Sequence, residues 1–280
     1  MKIKLWGTRG SVPSPGPETQ IYGGNTSCVT VATDNSLVVL DAGSGIRRLG
    51  NDPLIKQHEV IHILLTHLHM DHILGLGFFG PLYNPNQEVH IWGPASFNHH
   101  LIDRLNRYLS PPLFPVNIRE LPAKVHFHEV THGFFEINQL KIYANYVCHP
   151  GPTLGYRLEC GQSIFAYIPD HEPALGLRNV STNPEWTSGY ELAKDADLLI
   201  HDAQFSDEEY RNCIGWGHST ITQAIQFAKL ARVKKLLFFH HDPNHNDAVL
   251  EALAQKYLAI FPFDAEIGRE GAAYDLDKKT

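Results

Sequence analysis

Short apolar runs alternate with turns rich in Gly, Pro, Asn, Asp and Ser along most of the chain. Ile3–Trp6 reads as a first strand, stopped by Gly7-Thr8-Arg9-Gly10 and a loop through Pro13, Pro15 and Pro17. Cys28–Ala32 and Leu37–Leu40, split by Thr33-Asp34-Asn35-Ser36, predict a hairpin. Asp41-Ala42-Gly43-Ser44-Gly45 ends its second strand, and a helix through Ile46–Leu49 follows. Ile61–Leu65 is a buried strand. From about Gly77 to Phe135 the chain is rich in Pro, aromatics and His, and reads as connecting structure that builds a pocket wall. One strand, Val89–Trp92, and one helix, Ser96–Leu109, are expected inside it. Later come strands at Leu140–Val147, Asp197–Ile200, Lys235–Phe239 and Ala272–Leu276, and a hairpin of Thr153–Glu159 and Ser163–Tyr167 around Gly161. Ser219–Arg232 has helical periodicity with Ser219 or Thr220 as N-cap, and Asp247–Ile260 is a further helix. Strands, then helix, then strands and helix again predict an α/β fold: two packed β-sheets with helices outside, an αββα sandwich.

Composition narrows this only a little. Of 280 residues, 43% are hydrophobic and 19% charged, which suits one domain over 1–280 with a substantial core. No apolar run approaches the length of a membrane span, and Met1–Gly7 is too soon broken by glycine for a signal peptide. Cys28, Cys148, Cys160 and Cys213 form no CxxC pair and no disulfide framework, so a cytoplasmic location is expected. A net charge of −7, without a basic stripe, argues against a long nucleic acid as partner.

The chemistry concentrates in Thr66-His67-Leu68-His69-Met70-Asp71-His72, directly after the strand Ile61–Leu65. Packing has no use for three histidines and an aspartate in six residues; a divalent ion does, because imidazole nitrogen and carboxylate oxygen are favoured ligands of zinc and similar ions. If strand geometry runs on briefly, His67 and His69 share a side, while Asp71 and His72 lie on the following turn. One short segment then serves one ion with two ligands and a neighbouring ion with two more. Other polar residues just past strand ends complete the set: His149, Asp170, and His240 or the adjacent His241. Zinc is the expected ion, with manganese and iron(II) also suited to this thiolate-free set.

His67-Leu68-His69-Met70-Asp71-His72 is the HxHxDH signature, and the chain resembles the metallo-β-lactamase superfamily over almost its whole length. Asp41 with Gly43 and Gly45 resembles the motif whose aspartate orients a metal-ligating loop. The resemblance implies that His67, His69 and His149 hold one ion, that Asp71, His72 and His240 hold a second, and that Asp170 bridges them.

Three stretches resemble the ribonuclease Z-like phosphodiesterases. They are Leu5–Pro13 with Asn25-Thr26-Ser27, then His201-Asp202-Ala203-Gln204-Phe205, and Gly217-His218-Ser219-Thr220 at a helix start. In the second, Asp202 stands where that branch has glutamate. The resemblance implies Asp71, His218 and Asp202 as catalytic residues: His218 protonates the leaving oxygen, Asp202 orients it, and a water between two ions attacks phosphorus. Precursor-tRNA-processing members carry a long Gly- and Pro-rich arm, whereas here twenty residues separate His149 from Asp170. The expected substrate is therefore a small phosphodiester. Tyr22–Cys28, Gly215–Thr220 and His240-His241-Asp242-Pro243 resemble bacterial and phage cyclic-nucleotide phosphodiesterases, which implies a 3′,5′-cyclic nucleotide as substrate and a homodimer. Tyr83, Trp92, Phe114 and Phe127 are candidates for stacking on the base or, alternatively, core residues. The rival readings are a short-RNA nuclease or other small-phosphodiester hydrolase, a lactone or thioester hydrolase, and a non-catalytic nucleotide-binding protein.

Overall fold

The computed structural model describes residues 1–277. Its strands are β1 Lys2–Gly7, β2 Cys28–Ala32, β3 Leu37–Leu40, β4 Val60–Leu64, β5 Glu88–Pro94, β6 Lys124–Val130, β7 Gly133–Ile137, β8 Leu140–Tyr146, β9 Leu154–Cys160, β10 Ser163–Ile168, β11 Leu198–Asp202, β12 Lys235–Phe239, β13 Ala265–Ile267 and β14 Ala273–Asp275. The α-helices are α1 Ile46–Leu49, α2 Met70–Ile73, α3 Leu101–Asn106, α4 Tyr190–Ala193, α5 Ile221–Leu230 and α6 Asp247–Ile260. One sheet runs β14-β1-β2-β3-β4-β5-β6 and the other β13-β12-β11-β10-β9-β8-β7. This is the expected αββα sandwich. Among the described residues no helix is long and apolar enough to cross a membrane.

Alternation along the strands builds the layers, because successive side chains point to opposite faces. In β3, Val38 and Leu40 enter the core between the sheets, while Leu37 and Val39 enter the core beneath α1 and α3. In β12, Leu237 and Phe239 face the other sheet, while Leu236 and Phe238 pack under α5 and α6. Strands covered on both faces read as continuous apolar runs, which is why these were recognisable. β3, β4, β5 and β6 are mutually parallel, as are β10, β11, β12 and β13. Loops after the carboxyl ends of β3, β4, β10, β11 and β12 therefore gather along one edge of the sandwich, where α/β folds place their ligand sites.

The middle segment departs from expectation. It contributes two strands beyond the expected one, β6 and β7, and its helix is only Leu101–Asn106. In β6 the apolar positions Val125 and Phe127 turn toward the outer core, and histidines occupy the alternate positions, so apolar alternation was masked. The helix Ser219–Arg232 is shortened to Ile221–Leu230, with Thr220 as N-cap and Gln223 completing a capping box. His201 and Asp202 lie within β11 rather than after it, and β13 had no sequence signal of its own.

Candidate metal centre

Asp41 follows β3 with φ of 60°, a left-handed conformation that Asp tolerates better than most residues. That turn aims its fully buried carboxylate under the His-rich loop. It accepts from Thr66 N at 2.8 Å, Thr66 Oγ1 at 3.0 Å and Tyr167 OH at 3.0 Å. It also accepts from His72 Nδ1 at 2.8 Å, so the lone pair of His72 lies on Nε2. His149 Nδ1 donates to Gly217 O at 2.8 Å, and His240 Nδ1 to Gln204 Oε1 at 3.1 Å, which likewise leaves each Nε2 as an acceptor.

These nitrogens meet carboxylate oxygens, so each contact needs either a proton on the imidazole or a cation between the two. His72 Nε2 lies 3.0 Å from Asp170 Oδ1 and 3.3 Å from Asp71 Oδ2. His240 Nε2 lies 3.1 Å from Asp71 Oδ2 and 3.3 Å from Asp170 Oδ2. His67 Nε2 and His149 Nε2 are 3.8 and 3.7 Å from Asp170 Oδ2. His149 Nε2 is 3.2 Å from His69 Nδ1. His67 Nε2 is buried without a hydrogen-bond partner, the condition expected of an atom that can take a cation. The ligand groups at this centre include His67 with His69 and His149, Asp71 with His72 and His240, His67 with His72 and Asp170, and His149 with Asp170 and His218. The residues present thus fit a metal centre, with Asp170 reaching both sides.

Electrostatics point the same way. Burial pushes the imidazoles of His67, His69 and His149 below their ordinary range, favouring the neutral, ligating form. At His72 burial pulls downward too, but Asp170, Asp71 and Asp41 outweigh it and raise the pKa. For His240 the opposing carboxylates of Asp170 and Asp71 overcome burial and raise it to about 9. A proton and a cation therefore compete for this side of the cluster. His241 takes no part: its Nε2 donates to Gly268 O at 2.8 Å, and burial lowers it to about 3. Of the two adjacent histidines, the structure brings His240 into the cluster.

His218 stands at its edge, 12% exposed, with Nδ1 2.7 Å from Asp202 Oδ2. Asp202 is fully buried and also accepts from the backbone N–H groups of His171, Gln204 and Ser219 at 3.1, 3.1 and 3.2 Å. The shorter aspartate side chain does reach the histidine, because β11 carries it up to the site. The His218 ring stacks on His240 at 4.8 Å and meets His149 edge-on at 5.0 Å.

Several site residues carried no sequence signal. Glu172 is buried and accepts from Tyr210 OH at 2.6 Å and from Gly215 N and Gly217 N at 2.9 Å each. It pins the loop that carries His218 and supplies the carbonyl holding His149. Gly217 has φ of 89°, and a Cβ there would lie 2.4 Å from His149 Nδ1, so only glycine fits. Gln204 stood in a quoted stretch without a role, and Tyr167 was unmarked. Conversely, the four candidate base-stacking aromatics do not reach the site. Phe114 and Phe127 belong to the outer core, Trp92 packs between the sheets, and Tyr83 OH bonds Gly77 O at 2.8 Å. For Phe114, Phe127 and Trp92 the core alternative holds: their apolar bulk goes to packing. Beside the centre lie a cavity of about 250 Å³ lined by His67, His69, Arg104 and Pro150, and one of about 500 Å³ lined by Leu68, Met70, Arg107, Tyr108 and Leu113.

The Beta-lactamase superfamily domain model matches residues 37–241, which include every residue of this centre, and the chain belongs to that superfamily. Within it, the relatives define the ribonuclease Z-like branch. A ribonuclease Z of Synechocystis is 25% identical over 324 aligned positions, covering 100% of this chain and 95% of its own. Among solved structures, human tRNase Z, short form, superposes with a TM-score of 0.68 at 21% identity, covering 99% of each chain. A diphosphatase from the PhnP family superposes with a TM-score of 0.68 at 20% identity, covering 98% of this chain and 96% of its own. These two structural likenesses show the fold. The sequence relatives, together with the His/Asp cluster, make the chain a metal-dependent hydrolase of the phosphodiesterase or nuclease type.

Proposed function

We propose that the chain hydrolyses a small phosphodiester, best a 3′,5′-cyclic nucleotide to a nucleoside monophosphate, at a dinuclear centre. The observation that carries this reading is the pair His218–Asp202, 2.7 Å apart beside the ligand cluster. A phosphodiester releases an alkoxide, a poor leaving group that needs a proton; a thioester releases a thiolate, which needs that help far less. In this reading His67, His69 and His149 would hold one ion and Asp71, His72 and His240 the other, with Asp170 within reach of both. Zinc is the favoured ion, with manganese or iron(II) as alternatives. Two such ions would neutralise the phosphate oxygens and provide a water-derived nucleophile near neutral pH.

The remaining work falls to the chain. Asp202 accepts from His218 Nδ1–H and stabilises the imidazolium, which leaves the Nε2 proton available. As the bond from phosphorus to the leaving oxygen breaks, that proton passes to the oxygen. The imidazole is thereby neutralised and recovers its proton from water. The wall of Leu68, Met70, Tyr108 and Leu113, with Arg104 and Arg107 beside it, offers an apolar surface and positive charge to a small nucleotide. The tight β9–β10 turn at Gly161 and a net charge of −7 speak against a polyanionic substrate. The full-length match to a ribonuclease Z supports a second reading, a nuclease of short RNA. Exposed Leu175, Leu177 and Trp186 offer apolar surface for the proposed homodimer, which light scattering tests.

The deciding assay loads the protein with zinc or manganese. It then presents cyclic nucleotides, short RNA, bis(p-nitrophenyl) phosphate, a homoserine lactone and a glutathione thioester. Turnover of a cyclic nucleotide is expected. Turnover of the lactone or thioester with every phosphodiester intact would overturn the proposal; turnover of RNA alone would select the second reading.

A further inference from the structure

A second histidine cluster lies on the first sheet, set back from the strand ends. His62 on β4, His90 on β5 and His126 on β6 are in register across three parallel strands. They share the face opposite Ile61, Val89 and Phe127, which fill the outer core. Strand spacing stacks their rings: His62 on His90 at 4.8 Å and His90 on His126 at 4.7 Å. Glu88, two residues before His90, turns to the same face. Its Oε1 lies 2.9 Å from His90 Nε2 and 3.6 Å from His126 Nε2.

Those separations are the relevant quantity. Ligand atoms about 2.0–2.1 Å from a tetrahedral ion sit about 3.3–3.4 Å from one another. The observed 2.9 and 3.6 Å bracket that value, and all three ligand atoms lie within 4.8 Å of one another. The tautomer also permits it. His90 Nδ1 is 2.8 Å from His128 Nε2, and either ring can supply the proton of that bond. When His90 gives up its Nε2 proton, Nδ1–H donates to His128, the outer hydrogen bond that ligating histidines normally make. His62 is excluded through its Nδ1, which accepts from Trp92 Nε1 at 3.2 Å. Access is open: the Glu88, His90 and His126 side chains are 37%, 19% and 50% exposed.

We propose that Glu88, His90 and His126 form a separate site for a first-row divalent ion such as zinc, copper(II) or nickel(II), with His128 as the partner that fixes His90. Nitrogen and carboxylate donors suit these ions, with copper(II) the tightest. With three protein ligands on an open face, the remaining positions belong to water, so the ion exchanges readily and is not needed for folding.

Chelator-stripped full-length protein is titrated with zinc, and bound metal is counted per chain by elemental analysis. Copper(II) electron paramagnetic resonance is recorded in parallel. The wild type is expected to bind one more zinc ion per chain than His126→Ala or Glu88→Gln. Copper(II) should show nitrogen coupling that His126→Ala weakens, and Asp170→Ala should retain it. Equal zinc counts in wild type and both variants would overturn the proposal. So would a copper signal unchanged by His126→Ala. Because His126 is half exposed and on an edge strand, its replacement leaves the fold intact, and circular dichroism verifies this.

Discussion

Replacing Asp41 by Asn removes one charge while keeping the shape of the side chain and its left-handed backbone, which Asn also tolerates. Asp41→Ala would add backbone strain and confuse the result. The amide oxygen can stay on Thr66 N and Oγ1, where the carboxylate now accepts at 2.8 and 3.0 Å. The amide nitrogen then faces Tyr167 OH and His72 Nδ1. The tyrosine hydroxyl can rotate and accept instead. His72 has no such freedom: to accept at Nδ1 it must move its proton to Nε2, the nitrogen that faces Asp71 and Asp170. The variant therefore favours the non-ligating tautomer. Loss of an outer hydrogen bond of this kind weakens metal binding about 10- to 100-fold, or about 1.4–2.8 kcal/mol. In metal-free protein the lost charge-assisted bond costs roughly 1.5–3 kcal/mol of folding stability. Zinc affinity is read by competition with a chromophoric chelator, and stability by denaturant titration in chelator. Wild-type zinc affinity in Asp41→Asn, with the fold intact, would refute the claim that Asp41 sets the His72 tautomer.

His218→Ala should keep its metal content but lower phosphodiester turnover by about 10²–10⁴-fold; loss of an ion on metal analysis would make His218 a ligand instead. Glu172→Gln should lower turnover by roughly 10- to 100-fold, because the loop carrying His218 and Gly217 O loosens and small misplacements are costly. Activity unchanged in that variant would show that other contacts hold the loop. Burial lowers the pKa of His201 to about 4. Since the unfolded chain takes up that proton near pH 6.5, stability contributed by neutral His201 is present above about 6.5 and lost as pH falls toward 4. His201→Gln should flatten this acid limb in denaturant titrations of chelated protein, and an unchanged limb would assign it elsewhere.

What could be read from sequence was what is local. Five of the seven candidate ligand positions are either clustered at His67–His72 or stand directly after an apolar strand, as His240 does after Leu236–Phe239. The layer order followed from runs such as Leu37–Leu40, apolar because both faces are covered. What escaped depends on long-range partners. Nothing near Glu172 announces that it will cap two glycine N–H groups more than forty residues later, as its bonds to Gly215 and Gly217 do. Tyr167 meets Asp41 across 126 positions of chain. β6 was hidden for a different reason: its His126 and His128 are polar side chains on a strand whose other face is apolar, in a segment crowded with prolines. Phe114 and Phe127 took the core alternative, and the choice between stacking and packing was open because an aromatic near a site and an aromatic under one look alike in sequence.

The sandwich is divided along the chain: β1–β6 with β14 make one sheet and β7–β13 the other. Asp41 and the His67–His72 loop come from the first, and His149, Asp170, His218 and His240 from the second. Neither half holds all the candidate ligands, so an ion held at this edge would act as a rivet across two layers that otherwise meet through apolar packing and a few hydrogen bonds, such as Tyr167 OH to Asp41 and Tyr156 OH to Leu65 O. Tight binding then reports that the halves have docked in the right alignment. By mass action an ion at 100 times its dissociation constant adds about 2.7 kcal/mol against their separation. The catalytic edge would be at once where the reaction occurs and where assembly of the two halves is locked.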